Sequence, residues 1–176
     1  MLTEKQIVNW CQTGHNMFVK HQHLQNNWFA HDYDKKHIKP IVDTPTCIRF
    51  DLIRRGKTNV VAKLFYRPIL KHLNALSINV DNAVYSSFTP GARTKRFQNF
   101  VKDNVRLFIG LGGCDDAQFN FDNAQYRLNN SSLLVVELNK QFSVANAGNE
   151  IRNLFFIDIP KNELGPDVQL YKEYQL

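Results

Sequence analysis

Three short runs of the chain gather basic side chains at places where a reversal or an element start would expose them. The first is "SSFTPGARTKRFQNF", Ser86 to Phe100. Thr89 has the side chain of an N-cap and Pro90 the fixed φ of a first helical position, which predicts a helix whose Phe97, Phe100 and Val101 face the core. Arg93, Lys95 and Arg96 then fall in its first two turns, where the helix dipole disfavours cations. Together with the Ser86 and Ser87 hydroxyls and the open N–H groups of a helix start, they make a candidate phosphate site. The second run is Arg54, Arg55 and Lys57 around Gly56, at the tip of an expected hairpin able to straddle a phosphate backbone. Lys35, Lys36 and Lys39 form a third group. A shared face for these groups is the condition for a nucleic-acid interface.

Acidic residues suggest a different chemistry. "CDD" at Cys114–Asp116 precedes "SLLVVELNK", an apolar run that carries Glu137. This arrangement resembles the core of the PD-(D/E)xK nuclease family, in which acids on neighbouring strands hold a divalent metal and activate water. The resemblance implies Asp115 or Asp116 and Glu137 as metal ligands. Asn139 stands where the family's lysine belongs, and Lys140 one place later points to the opposite face of a strand.

Five of the six histidines lie in the first 37 residues. Cys11 and His15 have the i, i+4 spacing of a metal-ligand pair, but Cys11 belongs to an apolar stripe and reads as a buried thiol. His31, Asp32, Asp34 and His37 crowd a polar segment that reads as a solvated loop. "GLGGCDD" lacks the ending of a phosphate loop and is followed by acids, so its glycines are assigned to a tight turn. Phe119, Phe121 and Tyr126 share a strand face; alternating phenylalanines of this kind fill cores more often than they stack on bases. No catalytic residue, metal or cofactor is assigned.

The elements that carry these groups follow from periodicity. Thr3 and Gln6 have capping-box spacing, and Ile7, Trp10, Cys11, Met17, Phe18, Leu24 and Trp28 continue at helical intervals. A polar connector, 31–46, contains Pro40 and Pro45. Alternation in Ile48, Phe50, Leu52 and again in Val60, Ala62, Leu64 predicts a hairpin about Gly56. Pro68 opens a short helix through Leu76, and "VRLFIGLGG" is an interior strand. "AQFNF", "AQYRL" and "SLLVVELN", separated by Asp122-Asn123 and Asn129-Asn130, predict an antiparallel meander. "LFFIDIP" adds a strand before a polar tail, 161–176.

The whole reads as one α+β domain over 1–176, a mostly antiparallel sheet covered by the long N-terminal helix and one or two others. Its 176 residues suit a single core, and 22 Lys plus Arg against 16 Asp plus Glu leave a net charge of +6 that favours polyanions. Three widely spaced cysteines argue for reduced thiols and a cytoplasmic setting rather than a disulfide framework. No run is long enough to cross a bilayer, and no membrane partner is expected. The expected function is nucleic-acid binding through phosphates at Arg54, Arg55, Lys57, Arg93, Lys95 and Arg96. A protein-interaction module, working through the aromatic N-terminal helix or a sheet edge, is the alternative; the metal-dependent nuclease is third.

Overall fold

The strands of "VRLFIGLGG" and "LFFIDIP" are apolar at nearly every position, which requires a sheet covered on both faces. A computed structural model describes residues 1–22, 31–32, 42–43, 47–94, 97–98, 103–115 and 117–176. Among them three layers stack: helices, an eight-stranded sheet and a six-stranded sheet. The large sheet runs β1 (His31–Asp32), β3 (Cys47–Arg54), β5 (Asn82–Phe88), β13 (Arg152–Pro160), β8 (Asn104–Gly112), β11 (Ser132–Glu137) and β14 (Glu173–Gln175), with β4 (Lys57–Thr58) beside β3. The smaller one runs β10 (Ala124–Arg127), β9 (Ala117–Phe121), β12 (Gln141–Asn146), β6 (Arg93–Thr94) and β2 (Val42–Asp43), with β7 (Phe97–Gln98) beside β12. The strand pairs are antiparallel.

Side-chain alternation sorts the large sheet's residues between two cores. Tyr85, Leu107, Ile109, Leu133, Val135, Phe155 and Ile157 face the helices. Val84, Phe108, Leu134, Val136, Leu154 and Phe156 face the second sheet, where they meet Phe119, Phe121 and Phe142.

The first helix, α1 (Glu4–Gln22), begins as its spacing predicts: the Thr3 backbone N–H donates to Gln6 Oε1 (2.9 Å) and the Gln6 N–H to Thr3 Oγ1 (3.3 Å). Leu24 and Trp28 lie outside the described residues. At Gly14 α1 passes so close to α3 (Arg67–Asn74) that an added Cβ would sit 2.5 Å from His72 Nε2. Trp10 and His72 stack at 4.5 Å and exchange hydrogen bonds, Trp10 Nε1–H to the His72 carbonyl and His72 Nε2 with the Trp10 carbonyl. Desolvation holds the His72 pKa below its ordinary value, against the smaller opposing effect of that carbonyl.

Four expectations need correction. Residues 60–65 are not the second hairpin strand but a helix, α2 (Val60–Phe65), capped by Asn59 Oδ1, which accepts from the Val61 N–H at 2.8 Å. Burial falls at Ala62, Tyr66, Ile69 and Leu73, a helical spacing that outweighs three alternating apolar residues. No helix starts at Thr89-Pro90. Gly91 takes φ +75°, the Ala92 N–H returns to the Thr89 carbonyl at 3.0 Å, and Asn146 fastens this turn through its N–H to Ala92 O and its amide to Phe88 O. The meander divides: β9 and β10 pair across Asp122-Asn123, while β11, buried on both faces, pairs with β8 and β14 in the other sheet. Lastly, 161–176 is no loose tail. It forms a 3₁₀ turn (Lys161–Glu163), bridges Leu164 to Leu2 and adds β14 to the edge of the sheet.

Candidate nucleic-acid interface

The hairpin tip has the form expected of it. Ile53 pairs with Thr58 and Arg54 with Lys57, leaving Arg55 (φ 49°) and Gly56 (φ 70°) as the two-residue turn; positive φ at both positions is what a type I′ hairpin demands. The tip is also anchored from behind. The Arg55 N–H donates to Asn82 Oδ1 (3.1 Å) and the Gly56 N–H to the Asp81 carbonyl (2.8 Å). The Asn82 amide donates to Asp158 Oδ2 at 2.9 Å, and Asp158 receives a two-pronged bond from Arg106 at 2.6 and 2.8 Å. A buried ion pair therefore lies one residue behind the exposed turn.

Arg54, Arg55 and Lys57 are exposed, and Arg54 Nε lies 3.9 Å from Asp51. From residue 52 to residue 80 the chain contains no Asp or Glu, while it carries Arg54, Arg55, Lys57, Lys63, Arg67 and Lys71, all exposed. Arg67 and Lys71 are one turn apart on α3, and Lys63 lies on the preceding α2. Arg67 Nε–H donates to the Lys63 carbonyl at 3.0 Å across the break between the helices. Sequence reasoning placed the tip but missed these helical cations, because it took 60–65 for a strand. The absence of acids over 29 consecutive residues was the available signal.

The other basic group is not brought to the tip. Arg54 stands opposite Asn82, the first residue of β5, whereas Arg93 follows the turn beyond Phe88, the last. Seven residues of strand separate them by about 20 Å. Arg93 pairs with Ala145 and Asp43 in the second sheet. Ser86 and Ser87 lie buried within β5 rather than beside a helix start, so the expected phosphate cradle is not formed there. Lys95, Arg96, Lys35, Lys36 and Lys39 lie outside the described residues.

Of the acids expected to hold a metal, Asp115 and Glu137 do not converge either. Glu137 pairs with Val105 at one end of β8 and accepts from Lys161 Nζ at 2.5 Å, while Asp115 follows the other end at Gly112. The intervening strand is about 23 Å long. Asp116 lies outside the described residues. Among the described residues no group of three or more His, Cys, Asp or Glu could hold a metal ion. Cys11 is buried and burial pushes its thiol pKa up; His15 Nε2 meets the Gly110 carbonyl at 3.1 Å. Cys114, also buried, is likewise raised by desolvation, against smaller lowering effects that include nearby Arg152. Phe119 and Phe121 sit in the core between the sheets, as expected of alternating phenylalanines.

The chain matches no protein-family model and no curated protein. Solved structures similar to it are cupin domains. That of Cnp3 from Schizosaccharomyces pombe aligns at 18% identity over 46% of this chain and 56% of that domain, with a TM-score of 0.41. A cupin 2 conserved barrel domain protein from Salinispora arenicola aligns at 12% identity over 47% and 65%, with a TM-score of 0.38. A cupin superfamily protein from Desulfitobacterium hafniense aligns at 22% over 45% and 66%, with a TM-score of 0.37. The chain thus spans between about half and two thirds of these proteins' lengths. No residue role is transferred from them.

Proposed function

We propose that the protein binds nucleic acid through phosphates, using the hairpin tip and the adjoining helical cations. The observation that supports this reading is the acid-free segment 52–80, which carries Arg54, Arg55, Lys57, Lys63, Arg67 and Lys71, six exposed cations on contiguous elements. A rigid type I′ tip loses little entropy when it meets a phosphate, and the helical cations extend the contact along a backbone. Arg93, beyond the far end of β5, belongs to the same proposal as a separate contact, and Lys95 and Arg96, adjacent in sequence, belong to it as well. A cytoplasmic setting fits two buried free thiols, Cys11 and Cys114.

Each neutralised phosphate releases condensed counterions, so affinity for a duplex or single strand should fall steeply as salt rises. Changing Arg54, Arg55 and Lys57 together to Ala should lower the slope of log K against log salt by about 2 to 3 units. Lys140→Ala, in the turn before β12 and 3.7 Å from Asp122, is the control that should leave binding alone. No binding at about 50 mM salt, or a triple variant that binds like the parent, rejects the reading.

A further inference from the structure

Phosphate contact leaves one feature of this surface unused. Among the described residues, five large apolar side chains are strongly exposed, and three of them lie in α2: Val60 at 71%, Leu64 at 59% and Phe65 at 49%. Val60 and Leu64 are one turn apart on the side of the helix away from Ala62, which is fully buried. Exposed apolar residues scattered singly are ordinary, but Val60 and Leu64 stand together on one side of the helix as a patch. The patch is held firmly, since Asn59 caps the helix and Tyr66, buried against Phe50 and Tyr85, ends it. Lys57, Lys63 and Arg67, all exposed, lie within three residues of Val60 or Leu64 in the chain.

We infer that α2 and the hairpin tip dock onto an anionic lipid surface, with Val60 and Leu64 entering the headgroup region while the neighbouring cations meet lipid phosphates and carboxylates. Charge complementarity selects the partner: apolar side chains flanked by Lys and Arg suit a membrane bearing acidic lipids, where shallow burial and electrostatic attraction add together. Val60 and Leu64 are exposed one turn apart on a six-residue helix, and a fluid bilayer can take them up without a matching groove. The sequence led to an expectation of no membrane partner, resting on the lack of a run long enough to span, and no helix among the described residues is long and apolar enough to span. Peripheral docking departs from that expectation but needs no such helix. The inference stands apart from the nucleic-acid reading, although it draws on the same cations.

Sedimentation of the full chain with vesicles tests it, using phosphatidylcholine alone and phosphatidylcholine with about 30% phosphatidylserine. Binding is expected only to the anionic vesicles. The double variant Val60→Ser with Leu64→Ser should weaken it by about tenfold or more, and should leave nucleic-acid affinity unchanged. Changing Arg54, Arg55 and Lys57 to Ala should weaken both. A second measurement does not depend on loss of binding: in Leu64→Trp, emission difference spectra against the parent should shift to the blue on anionic vesicles and be quenched by brominated acyl chains. Absence of anionic vesicle binding overturns the inference, as does a serine variant that sediments like the parent, which would mean adsorption by charge alone. Vesicles left unbound while an acidic amphipathic peptide saturates the Leu64→Trp signal would place a protein on the patch instead. Loss of nucleic-acid binding with vesicle binding intact would reject the proposed function and leave this inference standing.

Discussion

The two faces of the eight-stranded sheet are built from alternate residues of the same strands, yet they tolerate different chemistry. Along β8, Val105, Leu107 and Ile109 enter a helix-covered core to which, among the described residues, no buried charged side chain contributes. Arg106 and Phe108 enter the core under the second sheet, where guanidinium groups are packed among phenylalanines. Arg106 lies 3.9 Å from the Phe156 ring centre and is paired with Asp158; Arg152 is fully buried, 4.2 Å from the Phe88 ring. The difference lies in the covering layer. Over the helical core the side chains that reach helix carbonyls are neutral, Trp10 Nε1–H on the His72 carbonyl and the Tyr85 hydroxyl on the Phe18 carbonyl, whereas the strand that covers Arg152 offers the Ala145 carbonyl, which accepts from the charged Nη1 at 2.9 Å. A flat phenylalanine ring with a cation above it also gains an electrostatic attraction that strengthens out of water.

The contrast breaks most visibly at the ion pair. Asp158→Ala should cost about 3 to 5 kcal/mol in denaturant unfolding, because it leaves the Arg106 charge buried without its partner. Replacing both members, Arg106→Met with Asp158→Leu, should cost far less or even stabilise, by the same reasoning. A double variant as unstable as the single one would mean that the second core needs the charge itself. On the helical face, Leu107→Ala should cost about 2 to 5 kcal/mol through lost transfer energy and a cavity. That loss should hardly change with salt.

A smaller effect should appear only on the helical side. The folded environment keeps His72 below its ordinary pKa of about 6.5, so as pH falls through that value the unfolded chain takes up a proton first. His72 therefore contributes stability that is full above about 6.5 and declines as pH drops towards and through its folded value. His72→Gln should flatten this part of a stability–pH curve measured by denaturant melts. An unchanged slope would place the acid sensitivity elsewhere.

Legibility in the sequence followed the same division between local and distant causes. The Thr3–Gln6 cap, the turn at Arg55-Gly56 and the helix opened by Pro68 are set by residues within a few positions of one another, and each stands where its pattern places it. Thr89-Pro90 carries an equally good local signal, but Asn146, 57 positions away, fastens that segment as a turn. The assignment of β11 to the other sheet was hidden for a related reason: an apolar run announces burial on two faces without saying which strands lie beside it. Of the candidate site, the tip was readable. Its separation from Arg93 depends on the direction of β5, and its extension along α2 and α3 depends on recognising Asn59 as a cap.

The position of β13 sets the order in which the molecule can be assembled. This strand, 152–160, is inserted between β5 and β8, which precede it in the chain and pair with it on both edges. During synthesis at about 5 to 20 residues per second, the 40 residues from Gly112 to Arg152 take about 2 to 8 s to appear. Until then β5 and β8 have complete apolar faces and open edges but nothing between them. Only the short edge strand β14 follows it in this sheet, so the nascent chain must keep two sticky strands apart until their shared neighbour arrives.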